Sequence, residues 1–400
     1  MRLPPAFRHR DFRVFVAGYL PSQTGEYIQH VVQNWLVWEL THSAFYLGLI
    51  GFFEFAPRFV FGPLGGVIAD RVDRQKLLIL THVLSAIQAA AFAILVFTGS
   101  IQFWHIALLV IFIAIVNSVS STAHQVLICS IVPQDSMVSA LALSSATHNL
   151  TKIIGPSIGG VLLTLIGSGN CLVIHLVTIL AMLAALFVIQ PPPFSPPAVK
   201  GRWLRDIGEG FSHVRRNSRL LTTILMTYSN GFFGISYSQF LPFFAQEVLG
   251  VGASGYGFLV AAPGVGAVAM SSVVSIHARL RRMRRLLVGS SVVYAVSIFF
   301  FAVSHSMATS LLLLAVVGSM QMSYRVLARA IIQEECPPHL LGRAMSLFFL
   351  DRGFGSLGAV FVGSLGTLLP VPLAVAASAL ACGLGTWVIP KISAPRTPSA

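Results

Sequence analysis

Twelve stretches of this chain are each long and apolar enough to cross a lipid bilayer, which takes about 20 mostly apolar residues. They lie near 13–39, 44–69, 77–98, 103–127, 138–166, 171–190, 220–246, 255–278, 286–304, 308–333, 343–368 and 371–389. A soluble core does not absorb so many. Of 400 residues, 55% are apolar and 10% charged, at a mean hydropathy of +0.80, where a soluble domain carries roughly 25% charged residues. Without water in the hydrocarbon, backbone groups must bond within their own segment, so spans of this kind read as helices. The expectation is an all-α membrane protein. The basic start (Arg2, Arg8, Arg10, Arg13) runs into the first span with no small-residue cleavage site, so that span is expected to stay.

The net charge of +13 is placed asymmetrically. Arg and Lys gather at the N-terminus, in 71–76, in 200–219, in 279–285 and around Arg343, Lys391 and Arg396, while the connections near 40, 100, 168, 250, 305 and 370 have none. The positive-inside rule then puts both termini and the even-numbered connections in the cytosol of a multi-pass protein of the cell inner membrane. Nucleic acid is excluded as a partner, because no folded soluble surface carries an aromatic-interleaved basic patch. The four cysteines (Cys129, Cys171, Cys336, Cys382) lack metal-ligand spacing and read as small buried side chains.

Residues 191–219 divide the chain. Pro191, Pro192, Pro193, Pro196 and Pro197 end the sixth span, and Trp203, Ile207, Phe211 and Val214 then recur at helical spacing among Lys200, Arg202, Arg205, Arg215 and Arg216. This reads as a cytosolic linker with an amphipathic helix lying on the inner leaflet, a plain soluble helix being the alternative. Across it the chain repeats at an offset of about 204. Residues 133–143 align with 337–347, Gly159 with Gly363 and Gly62 with Gly266. The expected organisation is a six-helix bundle over 1–190, the linker 191–219 and a second six-helix bundle over 220–400.

Between the second and third spans the chain reads Gly62-Pro-Leu-Gly-Gly-Val-Ile-Ala-Asp-Arg-Val-Asp-Arg-Gln-Lys76. Gly62 and Gly66, four apart, invite close helix approach. With Gly66, Asp70, Arg71, Arg74 and Lys76 in place, the segment resembles the loop between helices 2 and 3 of the major facilitator superfamily. Asp73 stands where that family prefers glycine. Gly155-Pro156-Ser-Ile-Gly159-Gly160 resembles the second part of the helix-5 motif of drug:proton antiporters; Thr151 and Ala142 stand where its earlier glycines belong. Trp35–Thr41, Asn149–Pro156 and Leu341–Arg343 are similar to the efflux subgroup of the enterobactin exporter and macrolide efflux proteins. The resemblance implies two pseudo-symmetric six-helix bundles with substrate between them, working as a monomer and needing no cofactor beyond a proton gradient. It also implies export from the cytoplasm. Many antiporters of the superfamily place an Arg in helix 4, and this chain has none there.

Charges within spans cost about 2.5–3.5 kcal/mol each, so each needs a partner or a task. Glu26 sits near mid-depth of the first span on a polar stripe with Ser22, Gln29, His30 and Gln33, at three- and four-residue spacing. It is the first candidate for proton coupling, with a packing role as the alternative, and Asp351 is the second. Glu54, Arg58 and Asp70 form a four-residue ladder on helix 2, and Asp351 leads another on helix 11. An inter-bundle gate is expected from Arg58 and Asp351, with Glu54 and Arg352 beside them, unless Glu54 and Arg58 pair only with each other. Asp70, with Arg71 and Arg74, is expected at the inner end of the gate near Arg343. Lys152 is read as a partner for a cavity carboxyl, an anionic substrate or Asp351. Gln33, Asn117, His124, Lys152, Asn230, Tyr237 and Arg325 are candidates for a substrate cavity suited to amphipathic ligands, helped by 29 Phe residues. No metal site and no enzyme active site is expected: Gly-x-Ser-x-Gly and His-Glu-x-x-His are absent. The function read from the sequence is proton-coupled export of an amphipathic small molecule such as a drug or siderophore. A facilitator-type importer or symporter and a non-transporting sensor on the same fold are the alternatives.

Overall fold

The computed structural model describes residues 4–191, 214–215, 217–277 and 283–392, with the backbone alone given for 58–60, 62–71, 122, 271–277, 338–339, 352 and 392. These residues are almost wholly helical. A 3-10 turn at Pro5–Arg8 leads into α1 (Arg10–Thr41), α2 (Ala44–Arg71), α3 (Arg74–Phe97) and α4 (Phe103–Ser130). Then come α5 (137–166), α6 (168–188), α7 (218–248), α8 (Gly252–His277), α9 (Met283–Ala302), α10 (Met307–Glu335), α11 (338–365) and α12 (Val371–Ile392). The expected inner-leaflet helix at 191–219 lies almost wholly outside the described residues.

Local chemistry sets the boundaries. Asp73 caps α3, its carboxylate accepting from the Gln75 and Lys76 backbone N–H groups at 3.0 and 3.3 Å. The aspartate that replaces the family's glycine therefore satisfies helix donors that glycine leaves open. Gln75 donates to the Leu186 and Ile189 carbonyls at 2.6 and 2.8 Å, which ties this turn to the end of α6. No loop separates the fifth and sixth spans. The helix turns at Gly167, whose φ of 78° lies in the left-handed region that glycine enters without strain. Pro133 and Pro337, equivalent in the repeat, are both extended and both precede a helix.

Among the described residues eight helical runs are long and apolar enough to span a membrane, the kinked 137–188 pair counting as one. α1, with its polar stripe, and the broken α7 fall short of that mark, and the part of α2 that counts is the shorter apolar run Ala44–Pro57. The course of α7 includes π-helical turns at Asn230–Gly234 and Phe244–Val248 with a 3-10 stretch between. Exposed faces are apolar, as on α3 with Leu80, Val83, Ile87, Ile94 and Phe97, the pattern of a lipid-facing surface.

The chain forms two compact units that do not follow the linker alone. Unit 1 comprises Met1–His42, Phe53–Ala198 and Gly250–Ala261; unit 2 comprises Ser43–Phe52, Val199–Leu249 and Ala262–Ala400. The first turns of α2 thus count with unit 2 and those of α8 with unit 1. Backbone approach explains both. A Cβ on Gly160 of α5 would lie 2.7 Å from the Ala253 carbonyl and from Gly257 Cα of α8. A Cβ on Gly363 of α11 would lie 2.8 Å from the Ala44 carbonyl of α2. Gly159 and Gly363 occupy equivalent repeat positions, and each half uses its glycine-rich helix to seat a segment from the other.

Candidate functional site

Each unit encloses a polar cluster. In unit 1 it is built around α1. Gly25 brings α6 close, since a Cβ there would lie 2.8 Å from His175 Nδ1. Gly155 and Gly159 bring α5 close, with hypothetical Cβ atoms 2.5 Å from Tyr27 Cβ and 3.1 Å from Ile28 Cα. The helix-5 motif therefore grips α1 next to Glu26. Glu26 accepts hydrogen bonds from Asn117 Nδ2 of α4 at 3.1 Å and from Gln23 Nε2 at 2.8 Å. Gln23 Oε1 in turn meets His148 Nδ1 of α5 at 3.3 Å. The hydrogen bonds that the Glu26 carboxylate accepts among the described residues come from amides. His82, His175 and Tyr19 lie within its electrostatic reach.

One turn further along α1, His30 Nε2 is 3.1 Å from Glu54 Oε1 of α2, and Glu54 is buried. Gln33 is buried as well. Towards the other end of α1, His124 packs edge-on to His82 and Phe15 and beside Tyr19, with ring centroids 5.3, 5.9 and 5.5 Å away. Lys152 is exposed on α5.

In unit 2 the centre is an ion pair. Arg325 of α10 holds Asp351 of α11, whose side chain is 0% exposed against 26% for the arginine. α11 breaks at Leu350, and Asp351 stands in the first turn of the next helical segment. Tyr228 donates its hydroxyl hydrogen to the Leu347 carbonyl at 2.7 Å, at the break. Gly231, in the first π-helical turn of α7, admits the Asp351 carbonyl at 2.6 Å from where a Cβ would be. π-Turns of this kind recur at functional sites. Asn230 is buried and donates to Ser291 Oγ at 2.9 Å, and it accepts from Cys382 Sγ at 3.3 Å. Tyr237 is buried beside Phe301. Tyr294 and Tyr324 are fully buried, and their hydroxyls, Arg325 Nε and Asp351 Oδ1 lack hydrogen-bond partners among the described residues.

Asp351 is thus engaged by Arg325, where the sequence reading paired it with Arg58. The side chains of Arg58, Asp70, Arg71 and Arg352 lie outside the described residues, and with them the expected gate. Glu54 is engaged by His30. Arg74 opens α3, and Arg343 is half-buried in the first turns of α11. The sequence reading passed over Gln23, His82, His148 and His175. The signal for His148 was its place four residues before Lys152 and seven before Gly155 on one helix face.

Among the described residues no three His, Cys, Asp or Glu side chains converge to hold a metal ion. The arrangement is two polar clusters inside apolar helical bundles. The family model described as "Transmembrane secretion effector" matches residues 3–400. The chain belongs to the major facilitator superfamily. It is a transporter of that type and a multi-pass membrane protein. It is 23% identical to the staphyloferrin A transporter of Staphylococcus aureus, over 84% of this chain and 85% of that one. It is 26% identical to the enterobactin exporter EntS of Shigella flexneri, over 88% and 82%, and 21% identical to macrolide efflux protein A of Streptococcus pyogenes, over 47% of each. Among solved structures, a bacterial homolog to the human lysosomal transporter Spinster matches with TM-score 0.70 at 16% identity, covering 98% of this chain and 96% of that one. The nucleoside transporter NupG matches with TM-score 0.73 at 12% identity, covering 96% and 98%. These likenesses show the facilitator fold.

Proposed function

We propose that this facilitator is a proton-coupled exporter of an amphipathic small molecule, such as a drug or siderophore, that exposes its site to the two sides of the membrane in turn. The observation that carries the reading is Glu26. A carboxylate held by two amides inside a span gains a proton without leaving a buried cation unpaired, so it suits a group that is loaded and unloaded in every cycle. Asp351, tied to Arg325, releases its charge only by stranding a guanidinium. Coupling is therefore assigned first to Glu26 and second to Asp351. The similarity to siderophore and macrolide efflux proteins supports the substrate class and the outward direction.

Gln33, Asn117, His124, Lys152, Asn230, Tyr237 and Arg325 are assigned to substrate handling. Arg58, Asp70, Arg71, Arg343 and Arg352 are assigned to the gate. The 1–190 and 220–400 halves are taken as the working bundles of a monomer in the inner membrane. Both termini are cytosolic in this reading, and a cysteine introduced near residue 100 or 250 is labelled from outside. Labelling near residue 100 from the cytosol alone overturns that orientation.

The deciding test is Glu26→Gln in proteoliposomes, with enterobactin and a macrolide as trial substrates. The variant is expected to lose uphill efflux driven by a pH gradient and to keep downhill exchange, because proton and substrate then no longer compete. Uphill pumping at the wild-type rate removes Glu26 from the mechanism.

A further inference from the structure

The second half of the chain carries a concentration of positive charge that the first half balances. Residues 70–76 set Asp70 and Asp73 among Arg71, Arg74 and Lys76. The stretch that holds the equivalent place before α9, residues 279–285, reads Arg-Leu-Arg-Arg-Met-Arg-Arg and has no acid. Arg284 and Arg285 are exposed at the Met283 end of α9, and Lys391 is exposed near the end of α12. Among the described residues no carboxylate pairs with any of the three. Lys391 instead places Nζ 3.1 Å from the centroid of the Trp387 ring. The ring face attracts the ammonium without using up its N–H donors.

These cations lie at one level of the bundle. Along α7, Asn230 and Gly234 meet Ser291 and Tyr294 of α9 in rising order, whereas Asn230 and Phe233 meet Cys382 and Ser378 of α12 in falling order. α9 and α12 are therefore antiparallel. They touch where a Cβ on Gly383 would lie 3.7 Å from Ala295 Cβ. From that contact Lys391 is about 12 Å along α12, and Arg284 about 16 Å back along α9, a difference that a long side chain spans. Arg284 is about three turns from Ala295, so it stands on the face of α9 that meets α12. The surface leading to the cations is apolar, with Leu286, Val293 and Phe300 exposed on α9 and Leu380, Leu384 and Trp387 on α12. Along α12 the exposed side chains pass from leucine to tryptophan to lysine, which is the order of chain, interface and headgroup in a phospholipid.

We propose that the seam between α9 and α12 binds an anionic phospholipid. Its acyl chains lie against Leu286, Val293, Leu380 and Leu384, and its phosphate is held by Arg284, Arg285 and Lys391 beside Trp387. The guanidinium fork matches phosphate oxygens, and the ammonium adds a point charge. A free phosphate gains nothing from the apolar approach. A zwitterionic headgroup brings an ammonium that the three cations repel, so the site selects a net negative lipid. That lipid supplies the negative charge that two aspartates bring to the corresponding stretch of the first half.

The test uses full-length protein in phosphatidylcholine nanodiscs with a minor share of brominated lipid, either phosphatidylglycerol or phosphatidylcholine. Bromine quenches tryptophan on contact, and the Trp387 share of the emission is the difference between wild type and Trp387→Phe. Brominated phosphatidylglycerol is expected to quench Trp387 several-fold more than the same share of brominated phosphatidylcholine. The triple change Arg284→Gln, Arg285→Gln, Lys391→Gln removes that preference, and Lys391→Arg keeps it. Millimolar inorganic phosphate leaves it in place. Equal quenching of the wild type by the two lipids overturns the site, and this comparison needs no variant at the cations to fold. A preference that survives the triple change is only the general pull of a chain with net charge +13 and overturns it as well. Displacement by inorganic phosphate marks a soluble-anion site in place of a lipid one. Trp387 quenched by neither lipid is covered by protein, such as a second copy of this chain, and the lipid reading falls.

Discussion

The two polar clusters hold a carboxylate in opposite ways. In unit 1 Glu26 is solvated by amides from its own helix and from α4, while in unit 2 Asp351 is neutralised by a guanidinium and fully buried. An amide gives up a proton-loaded carboxyl at the cost of one hydrogen bond, typically about 1 kcal/mol. A buried guanidinium that loses its counter-ion costs several times more. The first arrangement suits a group that changes charge in each cycle. The second suits a fixed brace for the broken helix α11, with the π-turn of α7 packed at Gly231.

The strongest way to break this contrast is to delete both carboxylates. Asp351→Ala is expected to lower stability by about 3–5 kcal/mol because it strands Arg325, while Glu26→Ala, which leaves two amides underbonded, costs about 1–2 kcal/mol. Thermal unfolding of the detergent-solubilised variants measures both. The double change Asp351→Leu with Arg325→Met should recover most of the loss, since replacing a whole buried pair is often close to neutral. Equal costs for the two alanines would make Glu26 as structural as Asp351.

A smaller effect tests what positions Glu26. Gly155→Ala puts a methyl 2.5 Å from Tyr27 Cβ, and overpacking of this kind costs about 1–3 kcal/mol. Gly289→Ala in α9 meets nothing within 4 Å and should be neutral or stabilising by up to about 1 kcal/mol. If both alanines behave alike, the helix-5 glycines are not what clamps α1.

Much of this was legible in the chain. Apolar runs fix helical spans because the hydrocarbon permits little else, and the stripe through Ser22, Glu26, Gln29 and Gln33 marks the face of α1 that needs polar company. The partners were harder. Arg325 and Asp351 are 26 residues apart and Gln23 and His148 are 125 apart, and nothing in local spacing chooses Arg325 over Arg58. Asp73 read as a departure from the family loop, yet at the first free N–H groups of α3 it is a cap. The break at Leu350 and the π-turns of α7 answer to packing against neighbours, which no residue pattern in those segments announces.

The smallest effect expected comes from the same chemistry in water. Arg219 and Glu335 pair at 2.7 Å, as close as a good buried pair, but the arginine side chain is 71% exposed. Exposed pairs exchange water for each other at little net gain and are screened by salt. Glu335→Gln should therefore leave the unfolding temperature within error of wild type at physiological ionic strength, whereas Asp351→Asn, the same change of one oxygen for one amide, lowers it clearly. Raising the salt should erase any residual effect at Glu335 and leave the Asp351 effect in place. A Glu335→Gln loss comparable to that of Asp351→Asn would mean that burial is not what separates these pairs, and the argument that ranks Asp351 behind Glu26 in the proton cycle would lose its footing.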